Sequence, residues 1–470
     1  MKIIIVGATQ VGIELAEYLV GAGHAITLVD SEHSALSQIA DRLDLRVVQG
    51  EASWPSVLRK AGAENTELLV ATTPNDEYNI AVCSVASSLF AVPRKIARIR
   101  SPEYLTEAQS LFNEHAIPID HIISPEHITA GAVLDLLELS GTTAVGSFAN
   151  KRVVIASAVC TRGGRLLGFP LENLCQADPK ARVLALYRNH ELVSDFKKEM
   201  LAEGDEVFFC AERSRVMSFL SSIVPLETGA KNITIAGGSH TADELARTLS
   251  ARYRVKLIEP DPQRAARIFP RMMQYSSLEL FCADPCDKEF MIEEHLDKSD
   301  RFIAASPNDE INIISSLMLK RLNNIKSIAV IRRSSLHDLS TSERDGQGAD
   351  TVVSPREAVI SALLSDIRQE GVLKMRLFRS GLSEGIELMV QGGRFSSRVV
   401  GRRIADLTLP PGVVLGMVLR DNKLLACTDD LKFEDGDRVI AYLHDHKQMR
   451  RLVALFKPRA FWIPRGRVWS

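Results

Sequence analysis

The sequence carries no excess of either charge. Its 57 Lys and Arg nearly balance 59 Asp and Glu, for a formal net charge of −2, which excludes the global basic field of a general nucleic-acid binder. Long apolar runs are also missing. None approaches the roughly 18 residues that a spanning helix needs, and the N-terminus is a Val/Ile strand carrying one Lys, so no secretory leader is expected. Cysteine is sparse and odd in number: seven, at 83, 160, 175, 210, 282, 286 and 427, the usage of reduced cytoplasmic thiols rather than of a disulfide framework. Cys282 and Cys286 are the only close pair. No second pair or clustered His completes a zinc site around them, so no metal is expected and both read as core thiols. No repeated His, Ser-His-Asp set or Lys-Tyr pair stands where hydride or acyl chemistry would need it. The expectation is therefore a protein that is not an enzyme.

What is present is a chain of 470 residues, too long for one hydrophobic core, and it repeats itself. "ITIAGGSHTADELARTLSARYRVKLIEPD" (233–261) restates "IIIVGATQVGIELAEYLVGAGHAITLVDS" (3–31). The match continues through "ELLVATTPNDEYNI" (67–80) and "DRFIAASPNDEINI" (300–313), "IARIR" (96–100) and "IAVIR" (328–332), and Ser124-Pro125 and Ser354-Pro355. Gly204-Asp205 and Gly436-Asp437 agree at the far end, and every offset lies between 229 and 233. The chain is two copies of a unit about 230 residues long, each holding two domains.

The first part of each copy alternates apolar strands with helical stretches, which predicts an α/β fold with a doubly wound, Rossmann-like parallel sheet and right-handed crossovers. The second part has short strands broken by Gly, Asn and charged turns, which predicts a small α+β domain. "RNHE" (188–191) and "RDNK" (420–423) mark one equivalent hairpin turn. The expected division is 1–123, a connecting helix at 124–139, 140–226, then 231–353, a second connecting helix at 354–371, 372–456, and a basic tail at 457–470 that neither copy's pattern explains.

The first turn nearly spells a dinucleotide motif: Gly7, Ala8, Thr9, Gln10, Val11, Gly12. In such a turn the first glycine makes the bend, the second admits the pyrophosphate and the third packs helix on strand, while helix amides hold the phosphates. The middle glycine is Thr9 here; the second copy has Gly237, Ser239, His240 and Ala242. A hydroxyl side chain at the middle position is expected to occupy the phosphate's path, although its oxygen could donate to a phosphate. Asp30 and Glu259 end second strands, where an acid accepts from ribose hydroxyls and disfavours a 2′-phosphate; a solvated strand-end acid is the plain alternative. Thr72 and the "PND" runs with Asp76 and Asp309 follow the fourth strands. Those acids cap helices or meet ligand, and Asn79 and Asn312 go beyond what capping needs. Arg100 and Arg332 end fifth strands as phosphate partners or as halves of structural ion pairs.

The order "VGATQVG…LVD…VVQGEAS…VATTPNDEYN…IARIRSPEYL", given twice with a small domain after each copy, resembles the tandem RCK (KTN) family of cytoplasmic subunits of bacterial Trk potassium uptake systems. The resemblance covers nearly the whole chain except about the last ten residues. It implies a nucleotide-responsive gating ring: a homotetramer on the cytoplasmic face of the inner membrane, beneath a TrkH or TrkG channel subunit, binding NAD(H) and adenine nucleotides such as ATP or ADP. By matching position its site would comprise Gly7, Gly12, Asp30, Asp76 and Arg100, and Gly237, Glu259, Asp309 and Arg332. The family usually has glycine where Thr9 and Ser239 stand. A channel-docking scaffold without nucleotide control and an NAD-dependent redox enzyme are the rival readings.

Overall fold

The computed structural model describes residues 1–172, 181–225, 229–333, 335, 336, 348–367 and 371–458. The chain divides into two compact units, residues 1–128 with 358–366, and residues 129–357 with 367–470.

The first unit is built on six parallel strands: β1 (Lys2–Val6), β2 (Ala25–Asp30), β3 (Arg46–Gln49), β4 (Leu68–Ala71), β5 (Arg94–Arg98) and β6 (His121–Ile123). Their order is β3-β2-β1-β4-β5-β6, so the chain reverses its winding between β1 and β4. That reversal opens the crevice at the strands' carboxyl ends where such sheets take ligands. β1 and β4 are central and covered on both faces, which is why "KIIIV" and "LLVA" read as unbroken apolar runs. The helix Pro125–Glu138 leaves this domain, but residues 358–366 complete it. Val359 and Leu363 of the later helix Pro355–Asp366 line a small cavity with Val70, Ile96 and Ile123.

The second unit holds the other α/β sheet, β12 (Asn232–Ala236), β13 (Arg254–Ile258), β14 (Leu278–Phe281), β15 (Arg301–Ala304), β16 (Lys326–Val330) and β17 (Thr351–Val353), in the order β14-β13-β12-β15-β16-β17. Ala130, Val133 and Leu136 of the earlier connecting helix share a buried cluster with Ile328, Val330 and Val353. Each connecting helix therefore packs on the α/β domain of the other copy.

Two five-stranded sheets complete this unit. The first runs β10-β9-β11-β8-β7, with β7 (Ala144–Phe148), β8 (Val153–Val159), β9 (Ala181–Arg188), β10 (Glu191–Leu192) and β11 (Glu206–Glu212). The second runs β18-β19-β22-β20-β21, with β18 (Val372–Phe378), β19 (Ser383–Met389), β20 (Val413–Arg420), β21 (Lys423–Ala426) and β22 (Arg438–Leu443). All their pairings are antiparallel. The β9–β10 and β20–β21 hairpins turn through positive φ at Asn189 and His190 and at Asp421 and Asn422, the left-handed pair a two-residue hairpin needs. Arg188 and Arg420, which open those turns, clamp Asp205 and Asp437. Each arginine makes two bonds of 2.8–2.9 Å to a carboxylate only 1% exposed. The paired Gly-Asp signature thus marks a buried carboxylate with a fixed partner.

The cysteines depart from expectation at the close pair. Cys83, Cys160, Cys210 and Cys427 are buried, but Cys282 is exposed and Cys286 half-buried, because β14 is an edge strand and its following loop meets solvent. Cys175 lies outside the described residues. Among the described residues no group of three His, Cys, Asp or Glu could hold a metal ion, and no helix is long and apolar enough to cross a membrane.

Candidate functional site

The turn after β1 is shaped by two glycines that nothing else can replace. Gly7 takes φ +103°, and a Cβ there would lie 3.1 Å from the Thr73 amide. A Cβ on Gly12 would lie 2.1 Å from the Gly7 carbonyl oxygen, so the helix Gln10–Gly21 can sit this close to β1 only with glycine at that position. Thr9, between them, takes φ −70° and ψ 163°, an extended conformation open to any residue.

The structure gives its side chain a role in the fold. The hydroxyl caps the helix, accepting from the Gly12 amide at 3.2 Å and donating to the Thr72 carbonyl at 3.3 Å. Ser239 repeats this with Ala242 at 3.1 Å and the Ala305 carbonyl at 2.6 Å. Both are favoured N-cap residues for this reason. Thr9→Ala is expected to lower the stability of the first domain by about 1 kcal/mol, with Thr9→Ser near wild type, read by thermal unfolding. Equal loss in both variants would show that the cap is not what selects the hydroxyl.

With the cap supplied from the side chain, the amides of Thr9, Gln10 and Val11 have no hydrogen-bond partner among the described residues. Together with the positive end of the helix they make the kind of concavity that suits an anion. Asp30, half-buried at the end of β2, accepts from the Ala8 amide at 2.6 Å and the Glu32 amide at 2.9 Å. The carboxylate is thereby fixed beside the turn. Thr72 serves the turn from below, donating to the Val6 carbonyl at 3.0 Å.

The acids and arginines that follow are bonded within the fold. Asp76 accepts from the amides of Arg100 and Ser101 at 2.8–3.1 Å, and Asp309 from those of Arg332 and Arg333 at 2.9–3.1 Å. They tie the first turn of one helix to the end of the neighbouring strand. Asn79 and Asn312, both fully buried, bridge the strand ends: Asn79 donates to the carbonyls of Thr73 and Arg98, Asn312 to those of Ser306 and Val330. Capping falls instead to Asn75 and Asn308. Arg100 pairs with Glu126 at 2.9 Å, and Arg332 donates to the Ser306 carbonyl at 2.9 Å.

The family-model comparison identifies a TrkA-N domain twice, at residues 3–125 and 233–355. The chain is also similar over 98% of its length to the Trk system potassium uptake protein TrkA of Vibrio alginolyticus (39% identical) and of Haemophilus influenzae (37%), covering 100% of each. The chain belongs to the TrkA family. Among solved structures it resembles the GsuK RCK domain (TM-score 0.58, 16% identity, 96% of this chain and 95% of that one) and the GsuK channel bound to NAD (TM-score 0.58, 16% identity, 97% and 78%). At that identity the likeness shows the fold.

Within this TrkA-family chain one residue beside the turn has no counterpart in the motifs of the sequence. Arg98, the last residue of β5, shares the small cavity behind the turn with Val11 and Thr72. Its Nε is buried without a hydrogen-bond partner among the described residues, and burial, then the neighbouring Arg100, pushes its pKa down. The signal lay in the repeat itself: the second copy has Val330 at the equivalent strand end. The two turns differ in their acids as well. Glu259 is 1% exposed, bonded to the Gly238 amide and to the Asp261 amide at 2.8 Å, and a Cβ on Gly238 would lie 2.3 Å from its Oε2. The second acid is folded beneath its own turn, whereas Asp30 stays half-open to solvent.

Proposed function

We propose that this chain is the cytoplasmic, nucleotide-responsive regulatory subunit of a Trk-type potassium uptake system, without catalytic activity of its own. Its partner would be a TrkH- or TrkG-type channel subunit in the inner membrane, and its assembly a homotetrameric ring on the cytoplasmic face. The two α/β domains would take NAD(H) or an adenine nucleotide such as ATP or ADP, with the first copy the tighter site. The observation that supports this is the first turn: three amides without a hydrogen-bond partner among the described residues, a half-open Asp30 bonded to the Ala8 amide, and Arg98, whose Nε has no such partner, beside Val11. Phosphate would lie on the amides and ribose on the carboxylate, which disfavours a 2′-phosphate. A nucleotide moves such a ring only through its differential affinity for two arrangements.

Isothermal titration of the full chain with NADH, NAD, ATP and ADP tests the reading. Asp30→Ala is expected to weaken the tighter binding event by roughly 10- to 100-fold, the range of a lost hydrogen bond to a charged group; Arg98→Ala should weaken ATP more than NAD. No saturable binding at millimolar nucleotide would leave a docking scaffold instead. An Asp30→Ala isotherm identical to wild type would falsify the ribose contact.

A further inference from the structure

The second unit contains a cavity of about 1560 Å³ that no residue of either glycine turn lines. Its walls come from the helix Pro125–Glu138, from β7 and β11 of the first small domain, from β16 and β17 at the edge of the second α/β sheet, and from the end of β18. Most of the positive charge on those walls is already answered. Arg188 is held by Asp205, and Lys320 and Lys326 share Asp350 at 3.2 and 3.4 Å. Arg379 donates to the His190 carbonyl at 2.8 Å and lies 3.5 Å from the centre of the Tyr187 ring.

Arg376 is the exception. Its guanidinium makes no hydrogen bond and no ion pair among the described residues, and its Nε is fully buried. Burial pushes its pKa down, offset in part by the charges of Glu357 and Asp135. Asp135 is itself given to Arg213, at 3.7 Å. The Glu357 carboxyl is pushed up to about 7 by burial, so at neutral pH part of the molecules still carry a proton there to donate. A guanidinium keeps its charge whatever the pH, and a buried N–H without an acceptor forfeits the hydration it has lost. The missing acceptor is an oxyanion.

The duplication shows that this arginine is particular to the second copy. β7 and β18 end on Phe148 and Phe378, each followed by a residue of positive φ, Ala149 at 49° and Arg379 at 53°. On that register Gly146 stands where the second copy has Arg376. The two positions also fit each other: a Cβ on Gly146 would lie 2.9 Å from the Arg376 Cγ and 2.7 Å from the Phe378 ring. The bare glycine on β7 leaves the room that the arginine stem takes on its way to the cavity.

We propose that this cavity binds a small molecule bearing a phosphate or carboxylate group, with Arg376 donating to the oxyanion. The planar fork of a guanidinium matches both groups, and Leu136, Val145 and Phe378 offer the rest of the molecule an apolar wall. The reading is independent of nucleotide binding at the glycine turns. Hydrogen exchange of the full chain, followed by mass spectrometry in phosphate, in acetate and in chloride at matched ionic strength, tests it. Phosphate, acetate or both are expected to protect peptides from 374–382 and 143–148, and which of them does so identifies the group. In Arg376→Gln the midpoint of that protection should move to roughly 10- to 100-fold higher concentration, the range of a lost hydrogen bond to a charged group, while any protection of residues 7–13 stays. Arg376→Lys keeps the charge without the fork; it serves if the glutamine variant does not fold, and should shift the midpoint by about tenfold. Equal protection in chloride, none in either oxyanion, or an unchanged midpoint in the folded variant would overturn the proposal.

Discussion

Arg420→Ala is expected to cost the last small domain about 3 kcal/mol. The reason is asymmetric burial: Asp437 is 1% exposed, and Arg420 meets it through Nε and Nη2, both at 2.8 Å. Removing the guanidinium leaves the carboxylate in the interior with only the Glu434 amide, at 2.9 Å, to accept from. Arg420→Lys should recover little, because an ammonium cannot make the two parallel bonds. The double variant Arg420→Met/Asp437→Leu should recover much of the loss, since an apolar pair needs no desolvation. Hydrogen exchange followed by mass spectrometry would read the effect as lost protection in β19, β20 and β22. A loss below about 1 kcal/mol would mean that water already screens the pair as it does on a surface.

The other large effect belongs to the first turn. Gly12→Ala places a methyl group 2.1 Å from the Gly7 carbonyl oxygen. That neighbour is backbone, so the helix Gln10–Gly21 must move off β1, and an overpacking penalty of about 3 kcal/mol is expected in the first α/β domain. Ala242→Gly in the second copy is the control. It relieves no clash and should cost about 2 kcal/mol, from helix propensity and from the loss of a fully buried methyl group. Thermal unfolding of the two variants compares them. Similar losses would show that the first helix can move off its strand at little cost, and nucleotide affinity in Gly12→Ala would then report whether the shift spoils the amide concavity.

How far the sequence reached depended on whether a cue was local. The parallel strands were legible because central strands of a two-sided sheet are uninterrupted apolar runs, as in "KIIIV" and "LLVA". The duplication was legible because Gly7, Asp76 and Gly204 recur, and the acid at Asp30 returns as Glu259, at a nearly constant offset. The role of Thr9 was not, since a cap depends on which way a side chain turns, and the residue type fits both a cap and an obstruction. Nor was the link between "RNHE" and Gly204-Asp205. Each was visible as a motif, but the bond from Arg188 to Asp205 spans 17 residues and forms only when β9 and β11 pair. The backbone partners of Asp76 and Asn79 were hidden for the same reason: Arg98, Arg100 and Ser101 lie at the end of another strand. Arg98 stayed hidden because a strand-end arginine looks solvated until the cavity behind it is seen.

The connecting helices give the duplication a further meaning. Residues 358–366 serve the first α/β domain, and residues 129–138 the second. A gene cut between the copies would not release two self-sufficient halves: each fragment would carry a helix with no sheet of its own to cover and a sheet stripped of its lid. The two fragments should therefore be soluble together and aggregation-prone apart. The link between the copies is not what joins them; it sets the local concentration at which they find each other, as a tether does for any pair of complementary surfaces.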